Sequence, residues 1–362
     1  KEKKILYQLI FSAFLLFSNA YLVKANSYIL SQDSTGKYCI NTEQDYYNFI
    51  ENIQNYNNKT VILCNDIDIS DVPEATSSFG GILNGKGHTI TYASKEAKEN
   101  IAVFPFRIND NGIVENINVQ IDESYAYNSE TDEFQTVFSR CDGIAKGITI
   151  KGNVTCIYDD EDTDVYIGAI EGNGTLMDSS IAITYDLQSE KTIEEIADDI
   201  VDNDLSFEFC QLGTINTGIT YQNCIGYGQY SEAIKSLADE LEPKIKDNTW
   251  GYLCVSFTRK SFFSTSASAT NCYYDKENMP DIKIMSEYIT NRDNNKEFPN
   301  YADFGKTTSE MKNQGTYEGF DFNKKWTISP EDNNGYPYYN PQTEEITLKV
   351  QASTEPKVWS TS

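Results

Sequence analysis

The feature that most constrains this chain is a short β-rich segment that keeps returning, broken each time by glycine or asparagine. Phe79-Gly-Gly-Ile-Leu-Asn-Gly-Lys-Gly-His-Thr-Ile90 opens the series, and Val114-Glu-Asn-Ile-Asn-Val119 sets its form. Ala145-Lys-Gly-Ile-Thr-Ile150, Asp178-Ser-Ser-Ile-Ala-Ile183, Tyr221-Gln-Asn-Cys-Ile225 and Ala269-Thr-Asn-Cys-Tyr273 follow at intervals of 31 to 48 residues. Glycine takes φ > 0 without steric cost and asparagine tolerates it, so each break is a place where a strand can turn a corner. Segments of one design that return at such intervals pair with their own earlier copies, which predicts an all-β fold, a parallel β-solenoid.

Other elements surround this series. Thr42-Glu-Gln-Asp45 has the form of a helix start, and Tyr46, Phe49, Ile50 and Ile53 follow on one face. This N-terminal capping helix leads into Val61-Ile-Leu-Cys-Asn-Asp-Ile-Asp-Ile69, which alternates as a strand. Two short helical insertions are expected inside the longer intervals. One is Thr192 to Val201, with the capping pair Thr192 and Glu195; the other is Ser231 to Leu241, with Ile234, Leu237, Ala238 and Leu241 on one face. From Thr307-Thr-Ser-Glu-Met-Lys312 the character changes to aromatic turns: Gly319-Phe-Asp-Phe322, Trp326-Thr-Ile328 and Gly335-Tyr-Pro-Tyr338. An aromatic C-terminal cap over the open end of the last turn is the expectation.

The helix followed by Asn65-Asp-Ile-Asp-Ile69, the repeats, and the Phe-Asp-Phe, Trp and Gly-Tyr-Pro-Tyr close together resemble secreted and surface proteins with GLUG-type repeats, over roughly residues 40–340. That resemblance implies a right-handed parallel β-helix of adhesin-like character. The expected organisation is a signal peptide at 1–25, an N-terminal cap and first strand at 26–70, β-helix turns at 71–300, a C-terminal cap at 301–345 and a tail at 346–362.

Lys1, Lys3 and Lys4 precede an apolar run from Ile5 to Phe17, with small-residue cleavage sites at Ser18-Asn-Ala20 or Val23-Lys-Ala25. This is the form of a secretory signal, with an uncleaved anchor as its rival, and it predicts a secreted or cell-surface protein. Eight cysteines behind such a signal predict disulfides, with Cys39 joined to Cys64 and Cys141 to Cys156. Asn58, Asn153 and Asn173 head glycosylation sequons. With 55 acidic against 29 basic residues the net charge is −26, which repels nucleic acid and anionic membrane surfaces. The partners expected are therefore an extracellular glycan, a surface protein or other copies of the chain, with no membrane contact beyond the signal segment.

Catalytic motifs are sparse. The sole histidine, His88, lies in a Gly-flanked corner and reads as a turn residue. Gly226-Tyr-Gly228 lacks the third glycine of a dinucleotide loop, and Gly85-Lys-Gly87 runs into a strand. In the run Asp159 to Asp164, the carboxylates of Asp160, Asp162 and Asp164 are spaced as calcium ligands, but Val165 stands where a helix-loop-helix calcium loop needs glycine. Calcium is accordingly the one cofactor considered. A carbohydrate-active β-helix enzyme, lyase or hydrolase, is the alternative to a non-catalytic binding or structural module. Its candidate residues are Arg140, Asp142 and Lys146, a cationic pair beside a carboxylate. The four arginines, at 107, 140, 259 and 292, show no shared repeat position.

Overall fold

A computed structural model describes residues 29–70, 72–73, 75–93, 102–126, 133–158, 164–213, 218–246, 249–256, 268–280, 282–286 and 304–340. Within these the chain is mainly β, in two extended sheets whose strands run almost entirely parallel. The chain alternates between them. Phe104–Ile108, Glu133–Cys141, Val165–Ile170, Ser206–Cys210 and Tyr252–Ser256 build one sheet, closed by the antiparallel strand Ile282–Ile284. The intervening strands, among them Ile113–Ala126, Ile144–Ile157 and Ser180–Gln188, build the longer one.

The register of the longer sheet explains the repeats. Leu83, Val114, Ala145 and Leu176 are successive partners at steps of 31 residues (83, 114, 145, 176), and Tyr221 and Ala269 continue the row. The first five of these six side chains point inward and are buried, each worth on the order of 1.5–3 kcal/mol for a large aliphatic residue. The sequence pattern aligns Asp178 with Ala145, whereas the structure pairs Ala145 with Leu176, two residues earlier. Strand side chains alternate with period two, so a shift of two residues leaves every side chain on its expected face and the pattern cannot detect it.

The corners form a second row. Asn116, Gly147, Asp178, Asn223 and Asn271 all have left-handed φ, between 49° and 62°. Their side chains bond along the stack: Asn271 Nδ2 donates to Asn223 Oδ1 at 3.3 Å, and Asn223 Nδ2 to Asp178 Oδ1 at 3.0 Å. At Gly147 a Cβ would run into Tyr339 and Asn116, so glycine there serves close approach as well as the turn.

All three expected helices form. Glu43–Glu51 starts at Thr42, whose hydroxyl accepts from the Asp45 amide, and it buries Phe49 against Phe79 and Phe106 at centroid distances of 5.4 and 5.9 Å. Ile193–Asp202 carries the complete Thr192–Glu195 capping box, and Glu232–Leu241 starts at Ser231. These two helices occupy the long intervals of the register and bury Ile196, Ile200, Ile234 and Leu237 in the main core.

The C-terminal aromatics depart from expectation. Tyr317, Phe320, Trp326, Tyr336 and Tyr339 form a second core against Ile225 and Tyr273, on the outer flank of the long sheet. The segment 304–340 is a lateral strap: Lys325 Nζ reaches Asp178 Oδ2 at 3.0 Å and Tyr339 packs against Gly147, both several strands back from the last one. Its anchor is the fully buried Asp275, which accepts from Tyr336 Oη at 2.5 Å, Thr308 Oγ1 at 2.8 Å and Asn278 Nδ2 at 2.9 Å. Near the final strand pair it is Met279 and Phe304 that join the main core.

Candidate functional site

Cys39 and Cys64 are joined as expected, tying the first two parallel strands together. Cys141 and Cys156 are not joined to each other. Cys141 ends a strand of the six-stranded sheet, whereas Cys156 lies far along Ile144–Ile157 in the long sheet, so the chain carries the two thiols apart. Burial pushes the Cys141 thiol up to about 12, which keeps it protonated and unreactive. Asn58, Asn153 and Asn173 are all exposed. Asp160 and Asp162 lie outside the described residues. Asp164 is engaged in structural bonds, accepting from the Ser206 amide at 2.6 Å and the Tyr166 hydroxyl at 3.3 Å. His88 follows the Lys86–Gly87 corner and pairs with Asp66 at 3.0 Å. Residues 1–28 lie outside the description; among the described residues no helix is long and apolar enough to cross a membrane.

The candidates Arg140, Asp142 and Lys146 divide into two groups. Arg107 and Arg140 stand in register on neighbouring strands, so these two arginines do share a repeat position. Both turn to Asp142, Arg107 Nε at 2.6 Å and Arg140 Nε at 3.0 Å from Oδ2, and Arg140 also reaches Glu171 at 3.4 Å. The Asn173 amide takes the remaining Asp142 oxygen at 3.1 Å. Burial works to raise the Asp142 pKa, but the Arg140 hydrogen bond and the arginine charges outweigh it and hold the carboxyl below its usual range. Glu171 goes the other way: burial raises it more than Arg140 lowers it. Lys146 belongs to a separate ladder, in which Asn84, Glu115 and Lys146 are register partners; Glu115 accepts from Asn84 at 2.6 Å and pairs with Lys146 at 2.8 Å.

A different place gathers polar side chains of the long sheet and the strap. Between the outer face of the long sheet and the strap lies an open groove of about 400 Å³, within the size range of small-ligand sites, roughly 300–1,000 Å³. Its sheet wall is built from two in-register rows, Thr89–Asn118–Thr149 and Gln120–Lys151. These outward positions alternate with the buried Ile90, Val119 and Ile150. The strap wall is Asp332, Asn333 and Tyr338. Tyr227 fixes this wall by bonding Asn333 at 3.1 Å and stacking on Tyr336 at a centroid distance of 4.4 Å. Burial, with the nearby charge of Asp332, raises the Tyr338 pKa. Lys151 is half-buried, burial lowers its pKa, and no carboxylate among the described residues pairs with it.

Lys151 lies one residue past the repeat Ala145–Ile150 and the sequence pattern gives it no role, because one wall of the groove comes from residues far along the chain. In comparisons with known proteins, no family model, no curated protein and no solved structure matches this chain.

Proposed function

We propose that this chain is a right-handed parallel β-helix of the GLUG-like kind, exported to the cell exterior, and that it binds an extended glycan in the groove without cleaving it. The solenoid reading draws support from the alternation of the chain between two parallel sheets and from the step of 31 residues that recurs from Leu83 to Leu176. Three exposed sequons and the Cys39–Cys64 disulfide are consistent with an oxidising, extracellular setting.

The observation that carries the binding reading is the pairing of polar in-register rows with an aromatic wall. Parallel strands repeat about every 4.8 Å, so Asn118 and Thr149, or Gln120 and Lys151, present hydrogen-bonding groups at a regular spacing along the groove. An extended saccharide has hydroxyls at regular intervals to meet them, and the half-buried Tyr338 ring offers a face for a sugar. The non-catalytic part of the reading rests on the distribution of charge. Among the described residues Asp332 is the one carboxylate that lines the groove, whereas hydrolysis calls for two carboxylates.

One observation favours the enzyme reading: Arg140 and Asp142 do meet, beside a Glu171 whose raised pKa suits a proton donor. A glycan-array screen run with a polysaccharide depolymerisation assay separates the two. Binding without release of fragments is expected. Fragment release that disappears in Glu171→Gln would establish the enzyme instead.

A further inference from the structure

Resting on the glycan reading, we propose that Lys151 makes the groove selective for acidic saccharides, chains whose rings carry a carboxylate or a sulfate group. The argument starts from the contrast among cations. Arg107, Arg140 and Lys146 each face a carboxylate at 3.0 Å or less. Lys151 stands on the long sheet, on the same strand as Lys146, half-buried, and pairs with no carboxylate among the described residues. Asp332 lines the same groove without pairing with Lys151, whose pKa is lowered by burial.

A partly desolvated cation without a counter-ion is costly. An anionic group entering the groove offsets that cost through a charge-assisted hydrogen bond, the stronger class of such bonds. A neutral sugar can offer only a hydroxyl, which leaves the charge uncompensated. The neighbours suit the rest of such a ligand. Gln120 offers a donor and an acceptor for ring hydroxyls, Asn118 keeps its side-chain carbonyl as an acceptor while its amide donates to the Gly87 carbonyl at 2.8 Å, and Tyr338 supplies the apolar face.

The net charge of −26 opposes this at long range. That repulsion is screened beyond roughly 8 Å at physiological ionic strength. A contact made inside the groove is closer than this and screened less, so the local cation decides which saccharide stays, while the overall field slows the approach of long polyanions.

The test uses the full chain in direct binding measurements with polygalacturonate oligomers, chondroitin sulfate and neutral cellohexaose. The parent is expected to prefer one or both acidic probes by at least ten-fold, and whichever it prefers identifies carboxylate or sulfate as the recognised group. Lys151→Gln should lose that preference, Lys151→Arg should keep it within about three-fold, and Lys146→Gln, which removes the same charge outside the groove, should change nothing. A thermal melt on each variant guards against loss of folding, with Lys151→Arg as the fold-retaining comparison. Cellohexaose bound as tightly as the acidic probes and unaffected by Lys151→Gln would overturn the acid preference while leaving a glycan groove. Binding of none of the three would overturn the glycan reading itself.

Discussion

Arg140 and Lys151 are both basic residues on the outer surface of stacked strands, and their surroundings differ in every respect that matters for charge. Around Arg140 the neighbouring segments supply Arg107, Asp142 and Glu171, and both Asp142 oxygens are engaged. Around Lys151 they supply Gln120 and Ala182, and the strap adds Asn333, Tyr338 and an Asp332 that does not pair with it. In a parallel stack the residue one register step away is always a neighbour, so the identity of that neighbour decides whether a charge is closed within the fold or left open to a ligand. The first cluster closes its charges within the fold, and the second is where the proposed site lies.

The largest effect that would break this contrast is expected from Gly152→Ala. Gly152 has φ of 142° and a Cβ there would overlap the Ile121 carbonyl, so the strand beside Lys151 must shift. A loss on the order of 3 kcal/mol should appear in urea unfolding, together with loss of groove binding. Next comes Asp142→Ala, which leaves Arg107 and Arg140 side by side without their shared counter-ion. Losing hydrogen bonds to a charged group here is expected to cost about 1.5–3 kcal/mol in the same experiment.

Acid titration sharpens the comparison further. The folded Asp142 carboxyl lies below its usual value, so its contribution is full above the unfolded value near 3.9 and is lost as pH falls through the folded one. Glu171 is raised in the folded chain, so its protonation on acidification favours folding and partly offsets that loss. Unfolding midpoints measured from pH 6 down to pH 2 should therefore fall most steeply at the acid end, and Asp142→Asn should flatten the curve there. The smallest effects belong to Lys151→Ala and Glu171→Gln. Each should move stability at pH 7 by no more than about 1 kcal/mol, because Lys151 gives up no partner and Glu171 only a long contact of 3.4 Å.

Much of the fold was legible in the sequence because its signals are local. The Thr192–Glu195 box and the Ser231 start announce their helices within four residues, and the corner asparagines and glycines mark the left-handed row. Cys39 and Cys64 could be paired because they flank one helix and the first two strands. The parts that stayed hidden depend on register and on the return of the chain. Arg107 and Arg140 are 33 residues apart in sequence but adjacent across the sheet, an alignment visible only once Ile108 is known to pair with Cys141. The sequence alone places the C-terminal aromatics over the open end because they need a surface to cover. That Asp275 and Asp178 hold the strap along the flank follows from buried hydrogen bonds between distant segments, which no periodicity reveals. The groove inherits this: Lys151 has its meaning only beside Tyr338.

The most direct test of the account is the titration of Lys151 itself, followed by NMR of the lysine side chains in the full chain and assigned with Lys151→Arg. The account expects Lys151 to titrate below the ordinary lysine value, near 10.4, because burial opposes its charge and no carboxylate among the described residues restores it. Addition of the preferred acidic oligosaccharide should then raise that value. An ordinary Lys151 pKa that the saccharide leaves unchanged would contradict the claim that this groove holds an uncompensated cation awaiting an anionic ligand.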